Sequence, residues 1–61
     1  MKIQIKGNLP DHVKDLGVKW GDVFDAEEVP GTRLDAVRFI VFVDDGQQFC
    51  TVLPDNYIKI Q

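Results

Sequence analysis

The sequence predicts an all-β domain: five short strands closed into a small barrel, with a long first loop carrying one helical turn. Three observations point there. The chain has 61 residues, room for a single domain over 1–61 and no more. The runs 36–43 and 47–53 are rich in Val, Phe and Ile and flank Asp44-Asp45-Gly46, the pattern of a hairpin. Residues 1–6 alternate, with Ile3 and Ile5 on one side and Lys2, Gln4 and Lys6 on the other, the pattern of a half-buried strand. Short antiparallel strands of this kind protect their edges by closing on themselves.

Each element has a local reason. Gly7-Asn8 breaks the first strand. In residues 9–21, Pro10 and Asp11 open a helical turn, Val13 and Leu16 stand three apart, and Gly17 ends it. The segment is too short for an independent helix, so it reads as a long loop pinned by Leu16, Val18 and Trp20. Residues 22–29 form the second strand, with Val23 and Val29 as its apolar points; Glu27 and Glu28, facing water, guard it against stray pairing. Pro30-Gly31 turns the chain, and the loop runs on from Thr32 to Asp35.

Gly46 supplies the positive φ that the hairpin needs. Two registers are open. A three-residue loop pairs Val41 with Phe49 and Phe39 with Thr51; a two-residue Asp45-Gly46 loop pairs Phe42 with Phe49. The first is preferred, because it gathers Val37, Phe39, Val41, Phe49 and Leu53 on one face. Pro54-Asp55-Asn56 makes a turn, and residues 57–61 form the last strand with Ile58 and Ile60 inward.

The run Leu53-Pro54-Asp55-Asn56-Tyr57-Ile58, set in this order of elements, resembles an SH3 domain. In that family an apolar residue, a proline, two polar residues, a tyrosine and a β-branched residue span the helical turn before the last strand. Gly21-Asp22 is similar to the glycine–acid pair that precedes the second strand there. The resemblance implies a five-stranded SH3-like barrel, with Pro54 and Tyr57 as groove residues. Two marks of the Pro-rich-peptide binders are absent: the early aromatic motif, and the tryptophan at the start of the third strand, which here begins Asp35-Ala36-Val37. The likeness is therefore to the divergent SH3-like barrels of bacteria and phages. Likeness of fold does not transfer function.

Little in the chain suggests chemistry. Cys50 sits mid-strand, where a packing thiol is expected rather than a nucleophile. A single cysteine allows no internal disulfide, which points to the cytoplasm. His12 reads as a solvated loop residue, and one His with one Cys falls short of a four-ligand zinc site. Asp22, Asp25, Glu27 and Glu28 lack calcium-loop spacing; they form a solvated face, or complement a basic partner. No phosphate-cradling loop, nucleophile elbow or acid–base pair is present, and no run has the length of a membrane span or the core of a signal peptide. The net charge of −3, from ten acids against seven bases, disfavours phosphate-backbone binding. A nucleic-acid-associated barrel would need Lys6, Lys14, Lys19 and Arg33 on one surface. The expectation is a non-enzymatic interaction protein without cofactor or metal, whose partner is another protein or a second copy of itself.

The preferred register places Arg38, Ile40, Phe42, Cys50 and Val52 on the hairpin's outer face, so both faces are apolar. A half-solvated sheet should alternate. Either bending, or the loop over residues 9–20, covers that face, or Ile40, Phe42 and Val52 form an exposed patch for a partner. Trp20 and Tyr57 are the aromatic anchors that could join it. With Pro54 from the resemblance, the expected binding set is Trp20, Ile40, Phe42, Val52, Pro54 and Tyr57.

Overall fold

A computed structural model describes residues 1–31 and 34–61; Thr32 and Arg33, part of the expected 32–35 loop and of the basic set, lie outside the described residues. The order of elements is β1 (Lys2–Ile5), α1 (Asp11–Lys14), β2 (Val23–Asp25), β3 (Glu27–Glu28), β4 (Val37–Val43), β5 (Gly46–Val52), a 3-10 turn (Pro54–Asn56) and β6 (Tyr57–Lys59). All strand pairs are antiparallel. The all-β expectation holds at this level.

The strands form two three-stranded sheets, ordered β2-β1-β6 and β3-β4-β5. Among the described residues their hydrogen bonds do not close one five-stranded barrel. The expected second strand divides at Ala26, sending β2 to one sheet and β3 to the other. Ala26 is buried, and its N–H donates to the Met1 carbonyl at 2.7 Å. A methyl side chain lets the backbone bend there without opening a gap in the core.

β1 decides what its neighbours bury. Ile3 and Ile5 are 0% and 1% exposed, and residues directly opposite one another share a face of the sheet. Phe24 lies opposite Ile3 and Tyr57 opposite Ile5, so both turn inward. Ile58 lies opposite Gln4 and turns out. The expected inward Ile58 and Ile60 are thus exposed, as is Val23. Val13 of α1, with Leu9 and Val18, joins the same core as Ile3 and Ile5. The long loop therefore plugs the core and does not cover the hairpin's outer face. Gly17, at φ 85°, ends the helical turn.

The hairpin forms, but in neither expected register. The chain reverses over Asp44-Asp45, and Gly46 pairs with Val43 at φ 132°. Phe39 then faces Cys50, Val37 faces Val52, and Ile40 faces Phe49. This slip of one residue exchanges the two faces of β5. Cys50 and Val52 are buried, whereas Phe49 and Leu53 are 58% and 45% exposed. The smaller side chains turn inward because the core already holds Phe24 stacked on Phe39, ring centroids 4.2 Å apart; Cys50 and Val52 pack there without the volume that Phe49 and Leu53 would add.

Candidate functional site

The outward half of that slip builds the most distinctive surface of the protein. Ile40 and Phe42 from β4 and Phe49 from β5 stand on the solvent side of one sheet, 41%, 77% and 58% exposed. With Val23 and Phe24 they line an open groove of about 590 Å³ whose polar rim is Asp25, Glu27 and Arg38. Scattered exposed apolar residues are ordinary on a soluble protein; three large ones on neighbouring strands around one concavity are a patch.

Arg38 ties the rim together. Its Nε donates to Glu27 Oε1 at 2.6 Å, and its guanidinium lies 5.0 Å from the centre of the Phe49 ring. Glu27, Arg38 and Phe49 thus run across all three strands of the sheet. The ion pair is exposed and adds at most about 1 kcal/mol of stability. Its effect is geometric: it holds Arg38 over the Phe49 ring and leaves Asp25 as a carboxylate without an ion-pair partner among the described residues.

The six expected binding residues separate into four places. Ile40 and Phe42 lie in the groove. Val52, expected beside them, is 3% exposed and belongs to the core, a direct result of the register. Trp20 is 74% exposed but is not part of the groove lining. It sits at the tip of a tight turn closed by Asp22 N–H to the Lys19 carbonyl at 3.1 Å and by Lys19 N–H to Asp22 Oδ2 at 2.9 Å. Gly21 holds the positive φ of 93° in that turn, and its N–H anchors it to the Ile5 carbonyl at 2.7 Å. Pro54 and Tyr57 line a smaller and more polar hollow of about 370 Å³ with Glu28, Asp35 and Lys59.

Tyr57 there has its ring in the core and its hydroxyl donating to the Asp35 carbonyl at 2.6 Å. Burial holds its phenol above the usual range, and the carboxylates of Asp35 and Glu28 add to the effect. Burial likewise pushes the Cys50 thiol up, so it stays protonated at neutral pH and is a poor nucleophile. Among the described residues no group of three or more His, Cys, Asp or Glu side chains is placed to hold a metal, and no helix is long and apolar enough to cross a membrane.

Phe49, Phe24 and Val23 are the apolar groove residues that the sequence reading missed. Phe49 was readable in principle. Cysteine is among the most buried residue types, and placing Cys50 inward on an alternating strand turns Phe49 out. Comparison with protein families, with characterised proteins and with solved structures finds no match.

Proposed function

We propose that this protein is a small, non-enzymatic protein-interaction module with an SH3-like arrangement of strands, and that its partner docks on the groove of Ile40, Phe42 and Phe49. The observation that carries the reading is the exposed aromatic face itself. A domain of this size needs its apolar residues for its own core, and here three large ones lie in water beside a concavity. The strand divided at Ala26 between two sheets, the 3-10 turn at Pro54–Asn56 and the tyrosine that follows it support the SH3-like reading.

The rim gives the partner a chemistry. Glu27 is matched by Arg38, while Asp25 has no ion-pair partner among the described residues on a chain of net charge −3. A segment with aromatic or aliphatic anchors and a neighbouring Lys or Arg fits such a groove. Selection from a random-sequence peptide library tests it. Enriched peptides should carry that pattern, and Phe42→Asp should weaken their binding by about tenfold or more while the protein stays folded by circular dichroism. Peptides that bind the Phe42→Asp protein equally well, or a library that yields none, would overturn the reading.

A further inference from the structure

The groove lies on a face of the sheet β3-β4-β5, but the same sheet has an edge that is handled unlike the others. Among the described residues four strands are sheet edges along their whole length, β2, β6, β3 and β5, while β4 is covered by β3 only at Val37 and Arg38. An open edge offers unpaired N–H and C=O groups to any other strand, and proteins blunt such edges with shortness, charge, proline or a bulge. Three of the four follow that rule. β2 has three residues and ends in Asp25, β6 has three and ends in Lys59, and β3 is two glutamates. β5 does not. It is seven residues long, Gly-Gln-Gln-Phe-Cys-Thr-Val, with no charge and no proline, and it pairs without a bulge.

The register tells which of its backbone groups are free. Val43 and Gly46 flank a two-residue turn, so they form a doubly hydrogen-bonded pair, and such pairs alternate along an antiparallel ladder. Gly46, Gln48, Cys50 and Val52 therefore bond to β4. Gln47, Phe49 and Thr51 point their N–H and C=O groups away from it. No backbone hydrogen bond among the described residues engages them on that side.

We infer that β5 pairs antiparallel with β5 of a second copy of this chain, making one continuous six-stranded sheet about a two-fold axis at Phe49. The segment is complementary to itself. Phe49 meets Phe49 of the second copy, an aromatic cross-strand pair. Gln47 meets Thr51 of the second copy on both sides of the axis, and all three outward-facing residues exchange hydrogen bonds. Charge favours this edge over those of β2, β3 and β6. Two copies of a chain of net charge −3 repel each other, least so where they approach through an uncharged strip. The pairing uses bonds in the plane of the sheet, so it goes beyond the docking reading and leaves Ile40 and Phe42 open.

Sedimentation over a concentration series tests it, with charge placed at the paired positions. The native protein should move from 6.9 kDa to twice that mass as concentration rises. Gln47→Lys with Thr51→Lys sets ammonium groups opposite each other twice and should weaken association by about tenfold. Gln47→Lys with Thr51→Glu sets opposite charges in the same places and should restore it. Both positions are exposed, and circular dichroism reports whether the variants fold. In amide exchange, protection that grows with concentration should be confined to Gln47, Phe49 and Thr51. A native protein that stays at 6.9 kDa up to about 1 mM would sink the inference. So would equal behaviour of the two double variants. A dimer lost in Phe42→Asp but kept with both lysines would mean that copies meet through the groove, which overturns edge pairing and leaves an interaction face standing.

Discussion

Tyr57 shows how much one side chain can join. Its ring fills the core beside Ile5, and its hydroxyl reaches the carbonyl of Asp35, 22 residues away in sequence. Asp35 holds a left-handed φ of 52°, a conformation that costs a non-glycine residue about 1–2 kcal/mol, and the Tyr57 bond is one of the contacts that hold it there. The folded protein keeps the phenolic proton more tightly than the unfolded chain does. Where Tyr57 titrates, the native state binds more protons, so stability must fall as pH rises. The contribution is complete below the unfolded value of about 10 and disappears as pH passes the higher folded value. Tyr57→Phe should lower stability at neutral pH by about 0.5–1.5 kcal/mol and remove its share of the alkaline loss. Urea titrations at neutral and alkaline pH check both signs, and the phenolate absorbance of the sole tyrosine follows the group directly. The turn before Tyr57 was legible from Pro54-Asp55-Asn56. The partner of its hydroxyl was not, because a contact across 22 residues leaves no local signature. Trp20 shows the converse. It was expected to help pin the long loop, yet its own turn is closed by Lys19, Gly21 and Asp22, and the indole is left in water.

At the scale of elements, the joints are set by a few backbone positions. β1 leaves its sheet at Gly7, where Asn56 Nδ2 donates to the carbonyls of Lys6 and Asn8 at 3.2 and 3.0 Å. Lys6 N–H donates in turn to the Asn56 carbonyl at 3.0 Å. The 3-10 turn is thereby latched to the end of β1. Gly7 has a φ of 77°, and a Cβ there would come within 2.8 Å of the Asp55 carbonyl oxygen; Gly17 has a φ of 85° with nothing within 4 Å. The two glycines therefore separate conformation from crowding. Gly17→Ala should cost about 1–2 kcal/mol for the left-handed backbone alone. Gly7→Ala should cost that and more, since a backbone oxygen has to move. Paired chemical denaturation curves measure the difference, and equal losses would show that the latch yields freely. The hairpin was the most legible element, because two β-rich runs around Asp44-Asp45-Gly46 leave few alternatives. Its register was not legible from apolar counting. Phe49 and Leu53 outweigh Cys50 and Val52 in hydrophobic bulk, but the core beside Phe39 was already filled by Phe24 from a strand fifteen residues earlier. Volume decided the register, and volume is a property of the assembled core.

For the whole molecule, composition and alternation were enough to read an all-β fold. The split into two sheets was hidden, since alanine is not a strand breaker and the residues around it, Phe24 to Glu28, read as one uninterrupted strand. The candidate site was half legible: Ile40 and Phe42 from the excess of apolar residues on the hairpin, Phe49 only once the register was known. A domain of 61 residues has about 3–9 kcal/mol of stability to lose, so a single cavity at Ile3 or Val13, about 2–5 kcal/mol, is close to unfolding it. Ala26 adds a mechanical condition to that margin. Because one continuous piece of backbone is woven into both layers, neither layer can fray without tugging the other. The slowest-exchanging amides, in Ile3, Ile5, Phe39 and Val41, should then open together with one free energy equal to that of global unfolding. Distinct opening energies for the two layers in native-state exchange would mean that the chain slackens at this crossing instead of carrying tension through it.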